Sequence, residues 1–289
     1  MSSIHTLIPD IQELLTRKDG WFTDEIACSF SSTVSRSLQA QFEPREPRPT
    51  LRLSKLGDMC PRALWYSIRH PELAEKMPPW VENKFSFGHI IEAWAIALAK
   101  ASGHRVEGEQ DELRVDGIVG HRDCVLDGCI CDVKSVTSYG LRKFQEGTIR
   151  KDDSFGYLYQ LDGYICGSLE DPLVSVKDKG YILAIDKQLG HMALYEHEFR
   201  PELIRERIRD YRDIVSQPRP PACTCEQVPF GKSGNVGLGV RASYSPFKYQ
   251  CFPELRTFIY SDGPVYLTKV VRRPDVKEID KFGQEVYTS

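Results

Sequence analysis

The 289-residue chain has no apolar run approaching the roughly 20 residues that a membrane helix requires. Its opening, "MSSIHTLIPDIQELL", does not have the layout of a secretion signal. There is no surplus of positive charge: 38 Lys and Arg against 41 Asp and Glu leave a formal net charge of -3. A nucleic-acid partner would therefore need a local basic surface or metal ions to hold it. No internal repeat or long low-complexity run is present. The nine cysteines lack an even count, which argues against a disulfide framework in a chain without a secretion signal. What remains is ordinary globular material, 41% hydrophobic and 27% charged, long enough for one substantial core. The expectation is a cytoplasmic protein with no membrane partner.

The first fifty residues read as an arm: a short amphipathic stretch, Ile11 to Leu15, then Ser-rich and Pro-rich sequence ending in "FEPREPRPT". A helix is expected from Leu53 with Ser54 as its N-cap, and a stronger one over "ENKFSFGHIIEAWAIALAKASG", closed by Gly103. A strand-rich block follows from about Val106 to Lys134. Next come helices near Ser138 to Gln145 and over "SFGYLYQLDGYICGSL", the strands "GYILAID" and "ALYEHEF", and the charged helix "RPELIRERIRDYRDIV". A last hairpin turns at Asp262 and Gly263. This order predicts a mixed α/β core with a central mixed sheet flanked by helices, an N-terminal helical region, and a C-terminal Cys- and Gly-rich segment plus hairpin. The expected divisions are an arm over 1–52, a core over 53–220, and a Cys-containing extension over 221–289 packed on that core.

Within the strand-rich block, "GHRDCVLDGCICDVKS" reads as a hairpin turning at Asp127 and Gly128. Alternation puts Asp132 and Lys134 on one face of its second strand and points Val133 into the core. Asp123 reaches the same end of the sheet from across the hairpin. Charges on a half-buried strand are costly unless paired or bound, and converging carboxylates repel unless a proton or cation intervenes. Hard oxygen ligands suit Mg²⁺ or Mn²⁺. Glu92 supplies a third carboxylate from an otherwise apolar helix. Gln160 and Tyr164, four apart, share a helix face. Taken singly, Asp132 and Lys134 are a salt bridge, Glu92 a helix-surface acid, and Gln160 and Tyr164 satisfied polar groups at a core edge.

Their order and spacing resemble the PD-(D/E)XK nuclease superfamily, and within it the RecB-like exonucleases, including phage-encoded and CRISPR-associated members. The resemblance runs from about Leu53 to Phe199 through "CPRALWY", "FGHIIE", "GHRD", "DVKS" and "QLDGY". It departs from the pattern where Glu92 stands in place of the common His and Asp132 in place of the commoner Glu. Both substitutions keep an oxygen ligand.

The resemblance implies a restriction-endonuclease-like fold and Mg²⁺- or Mn²⁺-dependent hydrolysis of DNA at ends or in single strands, in recombination, replication or genome processing, beside a partner protein of those processes. A phage-encoded member would work in the host cytoplasm. It implies that Glu92, Asp123, Asp132 and the Val133 carbonyl hold metal, that Lys134 serves the attacking water, and that Gln160 and Tyr164 position DNA or water. Candidate DNA contacts are Arg62, Trp65, Tyr66 and Ser135, with Arg142, Lys143, Arg150 and Lys151 from the basic run after the active strand.

Some relatives carry a [4Fe-4S] cluster on four cysteines, and Cys60, Cys223, Cys225 and Cys251 offer the required number. Their spacing departs from the family's compact triplet, zinc is the alternative metal, and free or structural thiols are the competing reading. The other cysteines are expected to be mostly buried free thiols. Two further functions compete with the exonuclease: a structure-selective endonuclease on the same fold, and a DNA-binding module that does not cut.

Overall fold

The computed structural model describes residues 3–44, 49–57 and 60–286. The chain divides into two units, one holding residues 1–46, 50–57 and 78–208, the other 47–49, 58–77 and 209–289. In the first unit the strands are β1 (Val106–Glu107), β2 (Glu112–Val115), β3 (Ile118–His121), β4 (Cys124–Leu126), β5 (Cys129–Val136), β6 (Val176–Asp186) and β7 (Met192–Glu198). Five of them form a mixed sheet in the order β1-β4-β5-β6-β7, and β2 and β3 pair separately. Only β5 and β6 are parallel. A parallel pair needs a long crossover, which the helices Ser138–Gln145 and Tyr157–Gly167 supply.

The β4–β5 hairpin turns at Asp127 and Gly128, with φ of +50° and +80°, between the paired Leu126 and Cys129. Two consecutive positive φ values match the twist of the flanking strands, and Asp-Gly is a pair that adopts them at little cost. Alternation along β5 then divides its residues. Cys129, Cys131 and Val133 enter a core with Leu7, Ile11 and Leu14, with Ala95, Leu98 and Ala99, and with Tyr181, Leu183 and Ile185 of β6. Asp132 points the other way and meets Gln160 of the Tyr157–Gly167 helix.

The N-terminal residues expected to be an arm are instead core. Leu7, Ile11 and Leu14, at helical spacing, lie on one face of the helix Leu7–Thr16 and are buried. The Ser-rich stretch is a second helix, Asp24–Phe42, whose N-cap Thr23 accepts a hydrogen bond from Ile26 N, with Asp24 and Glu25 in its first turn. Cys28, on this helix, is exposed.

The helix expected from Leu53 is also corrected. Leu53–Lys55 is a single 3-10 turn, and the helix proper is Pro61–Arg69 with Pro61 at its first position, where proline's fixed φ fits and its missing N–H costs nothing. That helix belongs to the second unit, so residues 60–77 group with the C-terminal segment and not with the expected 53–220 core.

The second unit has its own antiparallel sheet, in the order β12-β10-β11-β9-β8. Its strands are β8 (Gln227–Phe230), β9 (Asn235–Leu238), β10 (Arg256–Tyr260), β11 (Gly263–Lys269) and β12 (Lys277–Ile279). The β10–β11 turn is Ser261-Asp262, one residue earlier than expected, because Gly263 already pairs with Tyr260. The charged helix Pro201–Ser216 runs across the division between the units, and its Glu202 and Arg205 pair at 3.0 Å on the exposed surface.

Candidate active site

The seven residues expected at a metal and catalytic site come together in the first unit. Asp132 is completely buried. Its Oδ1 accepts a hydrogen bond from Gln160 Nε2 at 3.1 Å, and its Oδ2 lies 2.6 Å from Lys134 Nζ. Asp132 and Lys134 are thus a buried ion pair, and with Asp123 and Glu92 beside them the cluster holds more acid than one ammonium balances.

Asp123 Oδ2 accepts a hydrogen bond from Val133 N at 2.7 Å. The pairing of β4 with β5 stops at Cys124 and Cys131, so beyond it the β5 edge faces Asp123 in place of a strand. The N–H and C=O of one strand residue leave on the same side. The Val133 carbonyl therefore opens toward this edge, as a metal ligand would. Glu92 accepts from Gln110 Nε2 at 2.6 Å.

The electrostatics follow from packing three acids around one lysine. Burial pushes the proton affinity of Asp123 well above the usual carboxylate range, and the charges of Glu92 and Asp132 push it further. Burial likewise raises Asp132, with Lys134 opposing, and raises Glu92, with Gln110 opposing. Burial works against the charge on Lys134, yet Asp132 and Asp123 more than offset it and hold the ammonium above the ordinary lysine range. Lys134 is a cation here.

Gln160 Nε2 also donates to Tyr164 Oη at 2.9 Å, so the two residues one turn apart act as a linked pair. The helix that presents them is fixed from its opposite face. Asp162, buried between them in sequence, accepts from Arg200 Nε, Nη2 and N at 2.8, 2.6 and 3.1 Å, and lies 2.9 Å from His197 Nε2. Arg122, next to Asp123, is buried with its guanidinium on Gly108 O, Asp111 and Asp171.

Asp162 and Arg122 lie inside the motifs "QLDGY" and "GHRD", but nothing in those motifs marks their structural tasks. Buried charge in a short motif was the signal available. Gln110, which orients Glu92, sits in the polar turn "GEQDE" and carries no signal at all.

The expected DNA contacts are dispersed. Ser135 follows Lys134 on β5 and is half-buried, and Arg142 is exposed. Lys143 is committed to Asp152 at 2.5 Å and lies over the ring of Tyr139. Arg62, Trp65 and Tyr66 belong to the second unit. There Arg62 Nε donates to Pro221 O, Trp65 Nε1 donates to Gln217 O, and Tyr66 stacks on Phe247 at 6.4 Å. Trp65 is 6% exposed, so the base-stacking face expected of it is already covered.

The second unit gathers Cys60, Cys223, Cys225 and Cys251, whose sulfurs all lie within 4.8 Å of one another. Cys60 Sγ is 3.9 Å from Cys223 Sγ and 3.7 Å from Cys251 Sγ. Hydrogen bonds from Cys225 and Cys251 pull the Cys60 thiol down to about 2, while Cys225 and Cys60 push Cys251 upward.

No protein-family model and no curated protein matches the chain. Solved structures of similar arrangement include an alkaline exonuclease from Laribacter hongkongensis, 13% identical, covering 67% of this chain and 91% of its own with a TM-score of 0.42. A phage-related exonuclease from Haemophilus somnus is 16% identical and covers 57% of this chain and 93% of its own, with a TM-score of 0.43.

Proposed function

We propose that the chain is a metal-dependent deoxyribonuclease that works as an exonuclease on DNA ends or single strands. The observation that carries this reading is the convergence of three acids, Glu92, Asp123 and Asp132, on the single cation Lys134. A structural salt bridge needs only one of those acids. The charges of Glu92 and Asp132 raise the proton affinity of Asp123, a repulsion that a bound cation would relieve.

Glu92, Asp123, Asp132 and the Val133 carbonyl form an all-oxygen donor set that fits Mg²⁺ or Mn²⁺. Such an ion, when bound, neutralises charge on the scissile phosphate and lowers the pKa of water. Lys134 contributes its ammonium to the phosphate or the attacking water. Gln160 holds the Asp132 carboxylate in one orientation and, with Tyr164, lines the approach to it, which is positional catalysis. The Gln160–Tyr164 pair, spaced as in RecB-like exonucleases, favours end-directed cleavage over restriction-type cutting. Recombination, replication or genome processing is the setting such an activity serves, inside the cell and beside a partner protein of those processes.

The four thiolates support a second, structural metal. With Zn–S bonds of about 2.3 Å a tetrahedron has edges of about 3.8 Å, close to the observed separations of 3.7 and 3.9 Å. A four-iron cluster carries one iron behind each thiolate and spreads its ligands wider. These residues fit a single tetrahedral ion, zinc, better than a cluster. Metal analysis tests this: zinc near one per chain is expected, and iron with acid-labile sulfide in its place rejects it.

The nuclease reading is tested by incubating end-labelled linear DNA, single- and double-stranded, beside a covalently closed circle, with and without Mg²⁺. Loss of the linear substrates alone, only with metal, is the expected result. Cutting of the circle would replace the exonuclease with the endonuclease. Binding without cleavage of any substrate would leave the DNA-binding module.

A further inference from the structure

Glu92 and Asp123 stand on different elements, the helix Pro79–Ala101 and the chain before β4, and one residue ties them together. Gln110 Nε2 donates to Glu92 Oε1 at 2.6 Å, and Gln110 N donates to Asp123 O at 3.2 Å. In this position Gln110 adopts φ +59°, a left-handed conformation that is costly for a residue with a Cβ. Strain of this kind persists only where the surroundings over-determine it, and it gathers at functional sites.

The surroundings do fix this turn. Arg122 is 1% exposed; its Nε donates to Gly108 O at 3.1 Å, its Nη2 to Asp111 Oδ2 at 2.7 Å and its N to Asp111 O at 3.2 Å. Gly108 has φ +57°, and a side chain there would strike that guanidinium. Glu109 pairs with Lys100, on the same helix as Glu92. The turn 108–111 is thus fastened on both sides of Gln110, whose amide meets one oxygen of one acid.

A carboxylate can offer an ion one oxygen or both. With Oε1 held by the amide, Glu92 has Oε2 left to offer, in a fixed orientation. Mg²⁺ demands near-ideal octahedral geometry at about 2.0–2.1 Å, whereas Ca²⁺ takes more oxygens in a looser arrangement and accepts both oxygens of a carboxylate. A rigid acid with one oxygen to give suits the smaller ion. We propose that Gln110 is a positioning residue that makes the acidic site select Mg²⁺ over Ca²⁺, by holding Glu92 to one-oxygen ligation. This rests on the metal-dependent reading of the site and adds the choice of ion to it.

The test measures ion binding by the full chain without DNA. Mn²⁺ is titrated and its free ion read by electron paramagnetic resonance, and Mg²⁺ and Ca²⁺ are then added as competitors. Wild type is expected to lose its Mn²⁺ to Mg²⁺ at a lower concentration than to Ca²⁺. Gln110→Gly removes the amide and adopts φ +59° freely, so the turn survives. Its preference for Mg²⁺ over Ca²⁺ should fall about tenfold, the scale of losing an outer partner of a metal ligand. Gln110→Asn tolerates the same φ, but its amide is one methylene short of Glu92, and it should give the same shift. In a Glu92→Ala background, Gln110→Gly should leave the preference unchanged, because the amide acts only through that acid. A merely structural role would weaken both ions alike, with or without Glu92.

An unchanged ratio of Mg²⁺ to Ca²⁺ affinity in Gln110→Gly overturns the selector, as does an equal shift in the Glu92→Ala background, or a wild type that prefers Ca²⁺ or binds none of the three ions. Cleavage of end-labelled DNA in Mg²⁺ separates the two claims. A wild type that selects Mg²⁺ through Gln110 but cuts nothing sinks the nuclease and keeps the selector. A wild type that cuts while Gln110→Gly keeps the wild-type ratio sinks the selector alone.

Discussion

The two candidate metal sites are built on opposite principles. The acid–lysine site takes its groups from regular elements: Asp132, Val133 and Lys134 from one strand, Asp123 from the chain just before the preceding strand, and Gln160 and Tyr164 from one helix turn. Its donors are hard oxygens, and its three acids face a single lysine. The thiolate site draws on helix ends and loops: Cys60 before a helix, Cys223 and Cys225 in irregular chain, Cys251 at the end of a single turn. Its four soft donors lie within 4.8 Å of one another. The first site resembles one built to leave positions open for a substrate, the second one built to be closed, a contrast familiar from catalytic and structural metal centres.

The largest effect should come from the acids. Asp132→Asn keeps the shape and removes the charge, and is expected to lower the cleavage rate by about a thousandfold, the scale of losing a key transition-state contact. The zinc content of the thiolate site should not change. A matching loss of zinc would show that the two sites are not independent.

Cys251→Ser attacks the other side of the comparison. One missing thiolate in a structural site should reduce bound zinc from near one per chain to near zero and lower the melting temperature by about 5 °C or more. Metal analysis and calorimetry on the same preparation check it. The Mg²⁺ response of the first unit should survive.

That response is the smallest expected effect. The folded acids hold protons above their unfolded values, so their contribution to stability is present at acidic pH and lost as pH rises through the folded values. Mg²⁺ binds the deprotonated site and replaces that loss. Stabilisation by Mg²⁺ should therefore be small at pH 5 and grow toward pH 8, reaching about 2.7 kcal/mol at a hundredfold excess over Kd. Asp123→Asn should flatten this pH dependence in a thermal shift series, and Cys251→Ser should not.

The contrast also explains what could be read from the sequence. Asp132, Lys134, Gln160 and Tyr164 were legible because strand alternation and helical spacing fix which side chains share a face, and Asp127-Gly128 fixed the register that brings Asp123 in. Gln110 was not legible, because a polar turn has no period. An N-terminal helical region was legible, but its place in the core was not, because Pro and Ser around it masked the spacing of Leu7, Ile11 and Leu14. Trp65 was assigned to DNA because it lies in the motif helix "CPRALWY", and an aromatic there looks the same in sequence whether its ring is covered or free. The same four cysteines, Cys60, Cys223, Cys225 and Cys251, could be grouped from the resemblance, but their closeness in space is a property of the fold.

The most direct test of the central claim is single-turnover cleavage of an end-labelled single strand by wild type and Lys134→Ala, with binding measured in the same samples. The account predicts Mg²⁺-dependent cleavage by wild type, and a variant that binds the strand within a few fold of wild type while cleaving it at least about a hundredfold more slowly. Equal cleavage rates for the two proteins would contradict it, and would leave the lysine as no more than the salt-bridge partner of Asp132.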